Sequence, residues 1–132
     1  GGGDLTNVVV EDVKVNGEMY AGGLIGYWDY TFIQPLKLEL DRVEADVNVS
    51  GGSGSYAGAL IGYASGEENA NNKINLNITD TYSKGNVKGA SGAKLGYLIG
   101  AINQDNNSFD FNIHNNYHYG KDDGGATLGV GN

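Results

Sequence analysis

The octapeptide Tyr20–Tyr27 reads YAGGLIGY and Tyr56–Tyr63 reads YAGALIGY, and a looser copy, KLGYLIGA, occupies Lys94–Ala101. A chain that spells one segment three times must give each copy nearly the same neighbours, and that requirement excludes most globular folds. Aligned on Leu24, Leu60 and Leu98, the copies stand 36 and 38 residues apart. A second landmark recurs upstream in the same register: Val15-Asn16-Gly17, Val49-Ser50-Gly51 and Val87-Lys88-Gly89. Before each lies an apolar-alternating stretch, LTNVVVEDVKV, LELDRVEADVNV and INLNITDTYSKGNV. A fourth start, FNIHNNYHYG at Phe111–Gly120, keeps the spacing from Ile78 to Ile113 and then fades into KDDGGATLGVGN.

The alternation has period two. Val13 and Val15 fall on one face, Asp12, Lys14 and Asn16 on the other, and Val47 and Val49 repeat the arrangement. No window has helical spacing with caps, and the 23 glycines suit tight turns between short strands. These features predict an all-β solenoid, a single-stranded parallel β-helix of roughly three and a half coils. Equivalent strands would pair about 4.8 Å apart, so like residues stack on like. Leu24 would lie over Leu60 and then Leu98. Gly26, Gly62 and Gly100 would form a glycine ladder at a corner where a Cβ would clash. The expected division is a cloning scar or linker over 1–4, repeats over 5–120, and a degenerate last coil, cap or linker over 121–132. Open strand edges at the ends of so short a stack invite pairing, so neighbouring repeats of a longer parent chain are expected partners.

The segments AGGLIGY, AGALIGY and LGYLIGA, with GNVKGASG before the third, resemble the GLUG motif, which recurs in bacterial surface and secreted proteins. The resemblance covers most of residues 5–120. It implies a non-catalytic β-solenoid segment of a large adhesin-like protein, located outside the cell or on the bacterial surface. GLUG-type repeats also accompany IgA-specific zinc metallopeptidases as non-catalytic regions. The family supplies no catalytic residues to carry over. Two departures stand out: Tyr97 replaces the small Gly23 and Ala59 of the other copies, and the fourth start has no clear Leu-Ile-Gly.

The formal net charge of -8 argues against nucleic acid and anionic membranes, whose binding needs Lys and Arg. No stretch approaches the apolar length of a membrane span. The chain contains no cysteine, which excludes disulfides and thiolate metal sites. The opening GGGDL has no signal-peptide character, so the compartment is not encoded in these residues.

The candidate ligand-binding residues are Tyr27, Trp28, Tyr30 and Phe32, in the aromatic excursion YWDYTFIQPLKL at 27–38. Such rings stack on sugar faces or anchor protein contacts, and equally fill space under a loop. The partner they would suit is a glycan or a host surface protein. Taken as one strand, Gly22, Leu24 and Gly26 share a face, and Gly23, Ile25 and Tyr27 share the other. The second face is either covered or exposed as a ladder of Ile25, Tyr27, Ile61, Tyr63 and Ile99. His114 and His118 on one strand would sit about 13 Å apart, too far for one metal ion. No HExxH or phosphate-binding loop occurs. The carbonyl- and carboxylate-bearing loops 65–72 and 103–108 could hold structural calcium but match no calcium motif, so no cofactor is expected. Aligned on Val-x-Gly, Glu11 falls opposite Ala45 and Ser83, so no acidic ladder supports catalysis and no enzyme is expected. The expected function is a structural or adhesion module. The alternatives are a carbohydrate- or host-protein-binding module using 27–32, and an accessory region of a secreted IgA-type metallopeptidase.

Overall fold

The structure is a computed structural model that describes residues 3–30, 37–66, 74–102 and 109–119. These residues form strands joined by short corners, with no helix among them. Four strands come from the first passage of the chain: β1 (Gly3–Thr6), β2 (Val9–Gly17), β3 (Tyr20–Gly22) and β4 (Ile25–Tyr30). The second supplies β5 (Lys37–Asp41), β6 (Glu44–Gly51), β7 (Tyr56–Gly58) and β8 (Ile61–Gly66). Next come β9 (Ile74–Thr79), β10 (Tyr82–Lys84), β11 (Val87–Gly89), β12 (Lys94–Gly96) and β13 (Ile99–Ile102), then β14 (Phe109–His114) and β15 (Tyr117–Tyr119).

Each strand pairs with its equivalent one repeat away, so the chain visits four sheets in turn and returns to the first. The sheets run β1-β5-β9-β14, then β2-β6 with β10 and β11 sharing the other edge of β6 and β15 beyond β10, then β3-β7-β12, then β4-β8-β13. All of these pairings are parallel. The protein is therefore all-β with parallel strands in stacked sheets, an arrangement compatible with a solenoid.

Register shows why the letters recur. Leu5, Leu40, Ile78 and Ile113 are consecutive partners in the first sheet, and Val15, Val49 and Val87 in the second. Leu40, Ile78, Val47, Val49 and Val87 are each at most 1% exposed, whereas the intervening Lys14, Glu44 and Asn48 face solvent. Alternation thus buries one side of each strand, worth roughly 1.5–3 kcal/mol per large aliphatic side chain. Leu24 donates its amide to the Leu60 carbonyl and Leu60 to that of Leu98, so the three leucines lie in one column.

The glycine column is a correction to the expected corner. Gly26, Gly62 and Gly100 lie inside β4, β8 and β13, and the corner falls earlier, at Gly23–Leu24 and its equivalents. Tyr20–Tyr27 is therefore two short strands, not one. Gly62 and Gly100 are required because the third and fourth sheets meet backbone to backbone. A Cβ on Gly62 would stand 2.5 Å from the Gly26 carbonyl oxygen and 2.9 Å from the Ala21 amide nitrogen. One on Gly100 would lie 2.5 Å from both the Ala57 nitrogen and the Gly62 oxygen.

A second corner, between the first two sheets, was not visible as a repeat. Asn7, Arg42, Asp80 and Asn115 all have φ between 52° and 57°, so a left-handed residue turns the chain at every level. Three of the four are Asn or Asp, the residues that tolerate this region best after glycine. A bulge between Val10 and Val13, with Asp12 at φ 52°, absorbs an extra residue in β2. The bulge corrects the alignment of Glu11: Val10, not Glu11, is the partner of Ala45.

Residues that break the repeat fill the edges of the stack. The middle level carries Ala57, Ala59 and Ala64, all fully buried, while the level beyond it carries Leu95, Tyr97 and Ile102 in the same columns. Gly23 must be small, because a Cβ there would meet the Ala59 carbonyl and the Val47 side chain. Tyr97 instead lays its ring on His118, with centroids 4.0 Å apart. The column Val10, Ala45, Ser83, His118 thus ends in an imidazole whose Nδ1 lies 2.6 Å from Ser83 Oγ. The adjacent column ends in polar groups too: Thr81 Oγ1 donates to Asn116 Oδ1 at 2.6 Å, and Asn116 Nδ2 donates to the Ile78 carbonyl at 2.6 Å.

Burial pushes the His118 imidazole below its ordinary value, partly offset by the nearby Gly85 backbone, and Nε2 is buried without a hydrogen bond. The unfolded chain holds this histidine near 6.5. Above that pH both states are neutral and the group is indifferent to folding. As pH falls through 6.5 the unfolded state takes up the proton first, so stability drops until the pH is below the lowered folded value. Urea midpoints at pH 7.5 and 5 should therefore differ more for the parent chain than for His118→Gln. Equal differences would remove His118 from the acid response.

Candidate functional site

Among the described residues, the exposed large hydrophobic side chains are Val9, Met19, Tyr27, Tyr82, Tyr117 and Tyr119. Tyr27 is part of a cluster that the fold builds directly from the repeated octapeptide. Strands β3 and β4 are the two arms of a sharp arch closed by Gly23–Leu24. Gly22 lets the arms close, since a Cβ there would strike the Ile25 carbonyl. The two tyrosines that bracket the octapeptide are thereby brought together, with Tyr20 and Tyr27 centroids 4.8 Å apart and planes at 42°. One level up, Tyr56 and Tyr63 repeat the contact at 4.7 Å and 35°.

The levels then stack on each other. Tyr20 lies over Tyr56 at 5.8 Å and Tyr27 over Tyr63 at 5.6 Å, each pair within 10° of parallel. Offset-stacked and tilted ring pairs of this kind contribute about 0.5–1.5 kcal/mol each beyond burial. The patch stops at the third level, where the same columns carry Lys94 and Ala101. The Lys94 ammonium sits 5.6 Å from the Tyr56 ring centroid, within cation–π range. Burial raises the pKa of Tyr63, opposed by its bond to Ser65 and reinforced by Tyr56, Tyr27 and Tyr20. Removing the Tyr63 proton is therefore disfavoured. The chemistry of the cluster is recognition: flat π faces and hydroxyl donors on a fixed lattice. Because the folded pKa is raised, any stabilisation tied to Tyr63 is complete below pH 10 and lost as pH rises through the higher folded value. An ultraviolet phenolate titration should show a late-titrating tyrosine that is missing in Tyr63→Phe.

Among the expected ligand residues, Tyr27 is 47% exposed and lies in this patch. Trp28 is 8% exposed and packs into the core from the edge strand of its sheet, so its ring is not a surface for a ligand. It stands in the column of Ala64 and Ile102 and fills the near edge of the stack as Tyr97 fills the far one. The side chain of Tyr30 and all of Phe32 lie outside the described residues, as do 67–73, 103–108 and 121–132. The face proposed as Ile25, Tyr27, Ile61, Tyr63 and Ile99 divides: Ile61 and Ile99 are fully buried, and the tyrosines reach the surface. His114 and His118 are on different sheets, parted by the Asn115 corner.

Tyr20 and Tyr56 were not singled out as site residues. The signal was present, a tyrosine at each end of an apolar segment with glycine at its centre, but it becomes a site only if the segment folds back on itself. No family model, no curated protein and no solved structure matches this chain.

Proposed function

We propose that this chain is a non-catalytic structural and adhesion module, a single-stranded parallel β-helix of about three and a half coils of the GLUG-repeat type. In this reading it belongs to a larger bacterial surface or secreted protein. Stacked ladders supply stiffness, and the outer face supplies a contact surface for a glycan or a host surface protein. The observation that carries the adhesive part is the four-tyrosine patch of Tyr20, Tyr27, Tyr56 and Tyr63. A column serving only the stack would continue through every level, whereas this one is confined to two levels and ends at Lys94 and Ala101. Tyrosines with one wet face and little rotamer freedom are the usual anchors of such contacts.

The test is a binding screen of the chain against mucins, immunoglobulins and a glycan panel, with the double variant Tyr27→Ala/Tyr63→Ala in parallel. Saturable binding should fall about tenfold or more in the variant while circular dichroism is unchanged. Undiminished binding would sink the patch as the contact surface. No binding to any class by the folded parent chain would leave only the spacer role.

A further inference from the structure

The outer face of the second sheet carries a different feature from the tyrosine patch. Two adjoining depressions there share Val9, Glu44 and Tyr82, which are register partners on β2, β6 and β10. Together they form one open trough that runs across the strands. Its shared row sets apolar and aromatic side chains on either side of Glu44: Val9 is 57% exposed, Tyr82 38%, and the next partner, Tyr117, 60%. The Tyr82 and Tyr117 rings stack at 5.6 Å and 7°.

Polar groups rail this row on both sides. One rail is the left-handed corner, Asn7, Arg42, Asp80 and Asn115. The other includes the bulge residues Glu11 and Asp12 with Asp46 and Lys84, the last two an ion pair at 3.6 Å. Arg42 breaks the Asn/Asp pattern of its corner, although arginine gains nothing from a positive φ. Its guanidinium is held on two sides, Nε donating to Asn7 Oδ1 at 2.9 Å and Nη2 pairing with Asp41 at 3.1 Å. A planar donor set is thus fixed beside an aromatic row, at a position where the backbone alone would choose asparagine.

We propose that this trough binds an uncharged glycan chain, lying along the stack with its sugar faces on Val9, Tyr82 and Tyr117. Charge selects the class. The lining holds five carboxylates, Glu11, Asp12, Glu44, Asp46 and Asp80, against Arg42 and Lys84, which repels uronic, sulfated and phosphorylated chains. The trough lies on the face of the sheet, and its middle strand β6 is already paired on both sides, so no strand can add there. What fits is a ligand with apolar C–H faces for the rings and rows of hydroxyls for planar amide, carboxylate and guanidinium groups. The columns repeat at about 4.8 Å, which suits a polymer of repeating units better than a single small molecule.

The experiment is affinity electrophoresis of the 132-residue chain in gels containing glucomannan, xylan, xyloglucan or polygalacturonate. Retardation is expected with at least one uncharged polysaccharide and none with polygalacturonate. Tyr82→Ala should weaken binding about tenfold. Arg42→Asn should do the same without loss of stability, because asparagine suits the left-handed corner better. Met19→Ala, at an exposed side chain outside the trough, should leave this binding intact. No retardation in any gel, retardation only by polygalacturonate, competition by poly-lysine at equal strength, or unchanged binding in both trough variants would each overturn the proposal.

Discussion

Gly62→Ala should cost the chain about 3 kcal/mol or more and on this marginal scale bring it close to unfolding, while Gly26→Ala leaves stability within about 1 kcal/mol of the parent. The two glycines are the same letter of the repeat. Their surroundings differ because Gly62 lies in the middle strand of its sheet and Gly26 on the edge. The atoms a Cβ on Gly62 would meet, the Gly26 carbonyl and the Ala21 backbone, belong to the main chain and cannot rotate away. Relief requires the third and fourth sheets to part, which also opens the Tyr20–Tyr27 contact. A Cβ on Gly26 meets only the Tyr20 carbonyl, at an ordinary 3.6 Å. There the loss of glycine's unfolded-state freedom offsets any crowding. Urea midpoints of the two variants check this, and equal losses would mean the sheets do not approach as described.

Leu60→Ala is expected to destabilise by about 3–4 kcal/mol, and Leu24→Ala by about half as much. Leu60 is fully buried between Leu24 and Leu98 in a column joined by backbone hydrogen bonds. Removing its side chain leaves a cavity walled above and below by leucines that are themselves pinned, so little collapse is available to reduce the cost. Leu24 is only partly buried and has a partner on one side. Its removal loses transfer energy with a smaller cavity term. Denaturant melts with an unchanged slope should show the two-to-one ratio, and a larger loss at Leu24 would overturn the ordering of edge and middle.

Several residues show where reading letters succeeds. The alternation of Val13, Val15, Val47 and Val49 is a direct consequence of strand geometry, so their inward direction was legible. The column Leu24, Leu60, Leu98 was legible because parallel stacking makes identical residues neighbours. Trp28 stayed open between two roles because a solitary tryptophan looks the same whether it meets a ligand or plugs an edge, and only burial tells them apart. The corner Asn7, Arg42, Asp80, Asn115 escaped notice because what repeats there is a backbone angle, which three different residue types satisfy. The trough was hidden for a related reason: its walls come from different levels and share no letter.

The repeated octapeptide, the period-two valines and the absence of helical spacing were enough to establish strands, their parallel stacking and much of their register. Those properties depend on neighbours that carry the same sequence, so the chain describes its own surroundings. Which glycines are indispensable, which aromatics reach solvent and which polar groups share a groove depend on how two sheets approach and where the stack has an edge. These are relations between residues at different levels and on different faces, and no periodicity in the chain encodes them. Distance in three dimensions decided them, through the carbonyl 2.5 Å from a missing Cβ at Gly62 and the ring of Tyr97 lying 4.0 Å from His118.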